Sequence, residues 1–173
     1  MLPAAAGSLE ISNEHLFYGK IPKILVMAMI DGEALSGVYG KSPFNFKHFN
    51  VKSIDLRLDG ISNPILPLTP DFSSKLCLRE YMSLLESMNI LGKDAYLPFT
   101  YEEFLNGYTF FAWNLTPPDY QGQPQNTAKR GNVRLDIKFA THTATPMNVM
   151  LYCVFDSMVM IDSSGNVVTD NKD

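Results

Sequence analysis

At 173 residues the chain is sized for one domain, and a chain of that length buries about 70% of its unfolded surface without disulfides or metals. Apolar residues make up 46% and charged residues 18%, against ~25% charged in an average soluble domain, which excludes disorder and leaves a surface short of charge. Fourteen Lys and Arg against 18 Asp and Glu give a net charge of -4, so no overall basic field draws nucleic acid phosphates, and a dedicated DNA or RNA binder is disfavoured.

Residues 1–15 show no periodicity and read as a flexible lead. They lack the basic and apolar regions of a signal peptide, and no later stretch reaches the ~18 apolar residues of a membrane span. Residues 16–170 read as a single domain. Lys23 to Ile30 is a continuous apolar run between Pro22 and Asp31-Gly32, the profile of a strand covered on both faces. Ser53 to Asp59 alternates, with Ile54, Leu56 and Leu58 on a core face and Asp55, Arg57 and Asp59 on a solvated one. From Leu76 the period changes: Tyr81, Leu84, Leu85 and Met88 fall at helical steps, with Ser74 as the expected cap and Gly92 as the expected stop. Thr100 to Leu105 is a short helix with Thr100 and Glu103 in capping-box positions and Asn106-Gly107 as the end.

Tyr108 to Leu115 is an aromatic strand that ends at Thr116-Pro117-Pro118, and Leu115 to Arg130 reads as a long surface loop. Val133, Leu135, Ile137 and Phe139 alternate with Arg134, Asp136 and Lys138 after a Gly131-Asn132 turn. Asn148 to Ile161 is one strand, or two with a bend near Asp156-Ser157, and Val167-Val168 adds a ribbon after the Ser163 to Asn166 turn. Strands separated by turns, little helix and no βαβ alternation predict an all-β fold, an antiparallel β-sandwich with one or two short helices in loops, and a jelly roll as the leading topology.

The residues that carry chemistry do not assemble into a motif. His15, His48 and His142 lack the strand-alternate spacing of a cupin-type metal centre, and each reads as a loop or rim histidine. No GxSxG, HExxH or phosphate-binding glycine loop occurs. Cys77 and Cys153 read as reduced core thiols; Cys77 sits near a helix start, where the helix dipole would modestly lower its pKa. Glu102-Glu103 belongs to a helix first turn, and Asp55 and Asp59 to the solvated strand face. Lys129-Arg130, Arg134 and Lys138 form a modest basic group that Asp136 interrupts. Tyr108, Phe110, Phe111 and Trp113 serve as core or interface aromatics, with a stacking platform as the alternative. The sequence therefore predicts no catalytic residue, no metal site and no cofactor.

Seven stretches, read in order, carry a resemblance. They are Gly19-Lys20-Ile21-Pro22-Lys23-Ile24, Ser42-Pro43-Phe44-Asn45-Phe46-Lys47-His48-Phe49, Ile54-Asp55-Leu56-Arg57-Leu58-Asp59-Gly60, Pro67-Leu68-Thr69-Pro70-Asp71-Phe72, the run from Gly107 to Pro117, the run from Lys129 to Phe139, and Tyr152-Cys153-Val154-Phe155-Asp156. Together, from about Leu16 to Val168, they resemble the C-terminal half of the double-jelly-roll major capsid proteins of Polinton (Maverick) elements and adintoviruses, including capsid-like genes in animal genomes. The resemblance implies a structural protein of the virion without catalysis. Three subunits would form a capsomer, with the N-terminal jelly roll of the same subunit and other capsid proteins as partners, and capsomers would tile an icosahedral shell.

Within this frame Pro43 and Phe44 would lock and bury the approach to a strand, and Asp59-Gly60 and Gly131-Asn132 would make turns. The chain departs from the pattern in length, since a complete subunit would be two to three times as long. A second reading is a lone jelly roll acting as a penton- or spike-like module, which binds a glycan or protein receptor through loop aromatics or the Leu115 to Arg130 loop.

Overall fold

The computed structural model describes residues 1–17, 19–90, 99–115, 131–155, 159–161 and 166–169. In chain order the elements are β1 (Leu2–Ala4), β2 (Glu10–Asn13), β3 (Ile24–Asp31), α1 (Gly32–Leu35), β4 (Val51–Leu58), β5 (Ile61–Ser62), α2 (Leu78–Ser87), α3 (Tyr101–Leu105), β6 (Phe110–Asn114), β7 (Val133–Phe139), β8 (Met147–Val154), β9 (Val159–Ile161) and β10 (Val167–Thr169). Two four-stranded antiparallel sheets, ordered β1-β8-β3-β6 and β2-β7-β4-β5, form a sandwich, and β9 and β10 make a separate two-stranded ribbon.

The strand pairs are nested. The β4–β5 hairpin lies innermost, then β3 pairs β6, β2 pairs β7 and β1 pairs β8. The chain is thus one long antiparallel ribbon, folded at Asp59-Gly60 and wound so that β3 also pairs β8 and β4 also pairs β7. The fold point is a two-residue connection with positive φ at both residues, 49° at Asp59 and 86° at Gly60, the twist that a tight hairpin requires.

Period-two patterning decides the faces. Leu25, Met27 and Met29 of β3, Phe111 and Trp113 of β6, and Met147 and Val149 of β8 point inward from one sheet. Ile54 and Leu56 of β4 and Val133, Leu135 and Ile137 of β7 meet them from the other. Each such side chain contributes about 1.5–3 kcal/mol by leaving water. As its continuous apolar run predicts, β3 is buried on its outward face too, at Ala28 and Ile30. There, past the end of its pairing with β6, the Lys47 amide donates to Met29 O and the Phe46 ring lies 4.8 Å from Phe110.

The helices follow the sequence in part. The capping box is present: Glu103 N–H donates to Thr100 Oγ1, and Thr100 N–H donates to Glu103 Oε2. Helix α2 starts later than expected, with Cys77 rather than Ser74 at its N-cap, because Ser74 N–H is held by Asp71 Oδ1 in the preceding turn. It stops at Met88, followed by Asn89 at φ 56°; the expected stop at Gly92 lies outside the described residues. So do 116–130, the bend at Asp156-Ser157 and most of the Ser163 to Asn166 turn.

Residues 1–15 are not a featureless lead. They contribute β1 and β2, one edge strand to each sheet, and Ala4 is buried in the core while Leu2 and Ile11 pack against it. The segment between them is clamped by Thr143, whose N–H donates to Ser8 O and whose hydroxyl donates to Ala5 O. A chain edge left open by β7 and β8 organises these short strands, which have no pattern of their own.

Candidate functional surfaces

The two cysteines are free thiols. Cys77, the N-cap of α2, is fully buried, and burial, aided by the nearby Glu80 carboxylate, pushes its thiol up to about 12. The expected lowering by the helix dipole is overturned: desolvation of a thiolate outweighs a partial charge at a helix end. Burial raises the Cys153 thiol as well. Its side chain shares the inward face with Leu151, opposite Leu25 of β3. Among the described residues no group of three His, Cys, Asp or Glu side chains is placed to hold a metal ion, and no helix is long and apolar enough to cross a membrane.

The outer face of the β2-β7-β4 sheet carries the alternating charges seen in the sequence. Asp55 lies directly opposite Asp136, and Arg57 opposite Arg134. Each arginine neutralises the acid two residues away on its own strand, both at 2.7 Å, and Arg134 also reaches Glu14 at 3.3 Å. Burial alone would raise the Asp136 carboxyl, but hydrogen bonds from Arg134 and Ser12 and the Arg134 and Arg57 charges hold it below its ordinary value. The solvated reading fails for Asp55, which is only 8% exposed. Arg57 folds back over it, Pro67 lines the same hollow, and Asp55 Oδ1 has no hydrogen-bond partner. Asp59 and Glu103 act in a turn and a cap, as their positions implied.

Of the aromatic stretch, Phe111 and Trp113 are core, Phe110 is wedged between Phe46 and Phe99, and Tyr108 is half exposed beside Phe99. Burial of Phe44 is contradicted: the turn in which Asn45 N–H donates to Ser42 O points Phe46 inward and leaves Phe44 75% exposed. Other large apolar side chains are also exposed. Ile65 and Leu66 lie beside the first turn of α2, where the Arg79 guanidinium donates to the Leu66 and Pro67 carbonyls at 3.0 and 3.1 Å. Leu76 just before α2, Leu78 and Met82 on α2, and Tyr152 on β8 are exposed as well. These side chains leave exposed apolar surface on a chain with little charge.

At one end of the sandwich the β3–β4, α3–β6 and β7–β8 connections line an open cleft of about 600 Å³. It brings together His48 and His142, which the sequence kept apart, while His15 sits elsewhere, donating to Asn132 Oδ1. His48 stacks on Phe72 at 4.2 Å, and burial holds its pKa below the ordinary value. The β1–β2 connection braces this end, since Gly7 O accepts from His142 Nδ1 at 2.8 Å.

The chain is similar to an uncharacterized protein of Caenorhabditis elegans, with 24% identity over 172 residues, covering 95% of this chain and 40% of the relative. It thus spans about two fifths of that relative's length. No protein family model matches the chain, and no solved structure matches it.

Proposed function

We propose that this chain is a building block of a capsid-type shell: a jelly-roll domain that packs against neighbouring copies in a trimeric capsomer. The observation that carries the reading is the nested pairing of β4–β5, β3–β6, β2–β7 and β1–β8. A ribbon wound in this way into orders β1-β8-β3-β6 and β2-β7-β4-β5 supports reading the sandwich as a jelly roll, two Greek keys in eight strands. The capsid resemblance, from about Leu16 to Val168, spans β3 to β8, while β1 and β2 lie before it.

The surface supports the same role. Ile65, Leu66, Leu76, Leu78 and Tyr152 are exposed, and such side chains stay out of water when a second subunit covers them. The relative is about two and a half times as long as the part matched, which leaves room for the second sandwich that a double-jelly-roll subunit needs. In this role the protein acts through shape and contact, in the virion, and performs no reaction. The loop-end cleft favours a second reading, a module that binds a soluble ligand.

Electron microscopy of the concentrated chain, across salt and pH, tests the proposal. Threefold particles or larger arrays that form reversibly support it. Isolated single sandwiches under every condition overturn it.

A further inference from the structure

We propose that the cleft at the loop end of the sandwich binds an acidic saccharide, a hydroxyl-rich sugar unit that bears a carboxylate. The inference goes beyond the assembly reading and does not depend on it. The cleft, about 600 Å³, falls within the roughly 300–1,000 Å³ of small-molecule sites. Its polar lining includes the amides of Asn45, Asn50 and Asn106, the Thr141 hydroxyl, His142 and Lys47, and none of its described lining residues is an aspartate or glutamate. Amides and hydroxyls both donate and accept, as a sugar's hydroxyls require. Phe49 and Leu105 add apolar surface for the C–H face of a ring.

Lys47 is the one Lys, Arg, Asp or Glu among the cleft's described lining residues, which favours an anion over a cation. Lys47 Nζ lies 3.7 Å from Asp31 Oδ2, and its side chain is 46% exposed. Asp31 is more closely engaged elsewhere, by Lys41 at 3.2 Å and by the Glu33 amide at 3.0 Å. Lys41 is itself held more closely by Glu33, at 2.6 Å, so Lys47 keeps a long pairing with Asp31 and would offer its exposed side to a ligand carboxylate in the cleft.

The histidine tautomers follow from their partners. His142 gives its Nδ1 proton to Gly7 O at 2.8 Å, which leaves Nε2 for a ligand hydroxyl. His48 Nδ1 accepts from the Asn50 amide, so its proton is on Nε2. The walls are also set in uncommon backbone. Phe49 and Asn50 are consecutive at φ 45° and 56°, a conformation seldom seen for a bulky residue. Gly107, at φ 98°, lets Asn45 Oδ1 come within 3.1 Å of where a Cβ would stand. The surrounding fold holds these segments in one conformation, so a ligand would meet little ordering cost there.

Nuclear magnetic resonance titration of the chain with N-acetylneuraminic acid, glucuronic acid, glucose and sodium acetate tests the proposal. Expected are saturable shifts at cleft residues with the two acidic sugars, and binding about tenfold or more weaker for glucose and acetate. Lys47→Met is expected to weaken the acidic sugars about tenfold. Asn106→Ala, which leaves Lys47 intact and guards against misfolding of the first variant, is expected to weaken all the sugars. Glucose binding as well as glucuronic acid, acetate binding as well as either sugar, unchanged affinity in Lys47→Met, or no saturable shift with any probe would each overturn it.

Discussion

Asp59 and Asn132 hold each other twice: Asp59 N–H donates to Asn132 O at 2.9 Å, and Asn132 N–H donates to Asp59 Oδ1 at 2.8 Å. The pair joins the β4–β5 turn to the start of β7, locking the inner hairpin to the strand that winds around it. Gly131 makes the approach possible, since a Cβ there would stand 2.6 Å from Asp59 Oδ2. Gly131→Ala should cost about 1–3 kcal/mol through overpacking, read as a lower urea midpoint. Asp59→Asn keeps the acceptor and tolerates positive φ, so it should cost less than about 1 kcal/mol.

Phe104 ties the helices to the sheet, with its ring against Phe72, Tyr81, Tyr101 and Phe111 and no exposed surface. Phe104→Ala should lose about 3–5 kcal/mol. Tyr152→Ala, at a residue 68% exposed, should change the stability of a single subunit by less than about 0.5 kcal/mol while weakening self-association. Thermal unfolding at low concentration and sedimentation at high concentration separate these effects.

Acid should destabilise the fold through particular carboxylates. Burial alone would raise the Asp31 carboxyl, but the Glu33 amide, Lys41 and Lys47 more than offset it, so its pKa lies below the ordinary value; Asp136 behaves alike. A carboxyl whose pKa is lowered by folding stabilises the fold fully above its unfolded pKa of about 3.9, and that stabilisation is lost as pH falls through the lower folded value. Stability should therefore be insensitive to these groups near neutrality and fall below about pH 4. Asp31→Ala also removes the N-cap of α1 and should cost about 0.5–2 kcal/mol at pH 7, with a shallower acid transition measured by circular dichroism.

With its thiol at about 12, Cys77 is almost wholly protonated at pH 8 and shielded from reagent. Iodoacetamide should leave it unlabelled in the native protein and label it readily in denaturant, as peptide mass spectrometry would show.

The elements that were legible in the sequence are those whose own pattern decides their fate. The alternation of Val133 to Phe139 sets β7 at the same bounds in the structure, and Thr100 with Glu103 fixes the start of α3. β1 and β2 escaped because three- and four-residue strands have no usable period and exist through the edges of β8 and β7. Asp55 read as solvated because alternation reports direction, and here Arg57 and Pro67 cover the outward side. The cleft was illegible because His48 and His142 come to line one cleft only once the ribbon is wound, which places the β3–β4 and β7–β8 connections at one end.

The most direct measurement of the central claim is the mass of the chain by multi-angle light scattering across a concentration series, with Ile65→Asp and Leu78→Asp compared in parallel. The assembly account predicts a mass that rises to three subunits or more and falls back toward one in the variants. A single-subunit mass at every concentration, unchanged by either substitution, would contradict it.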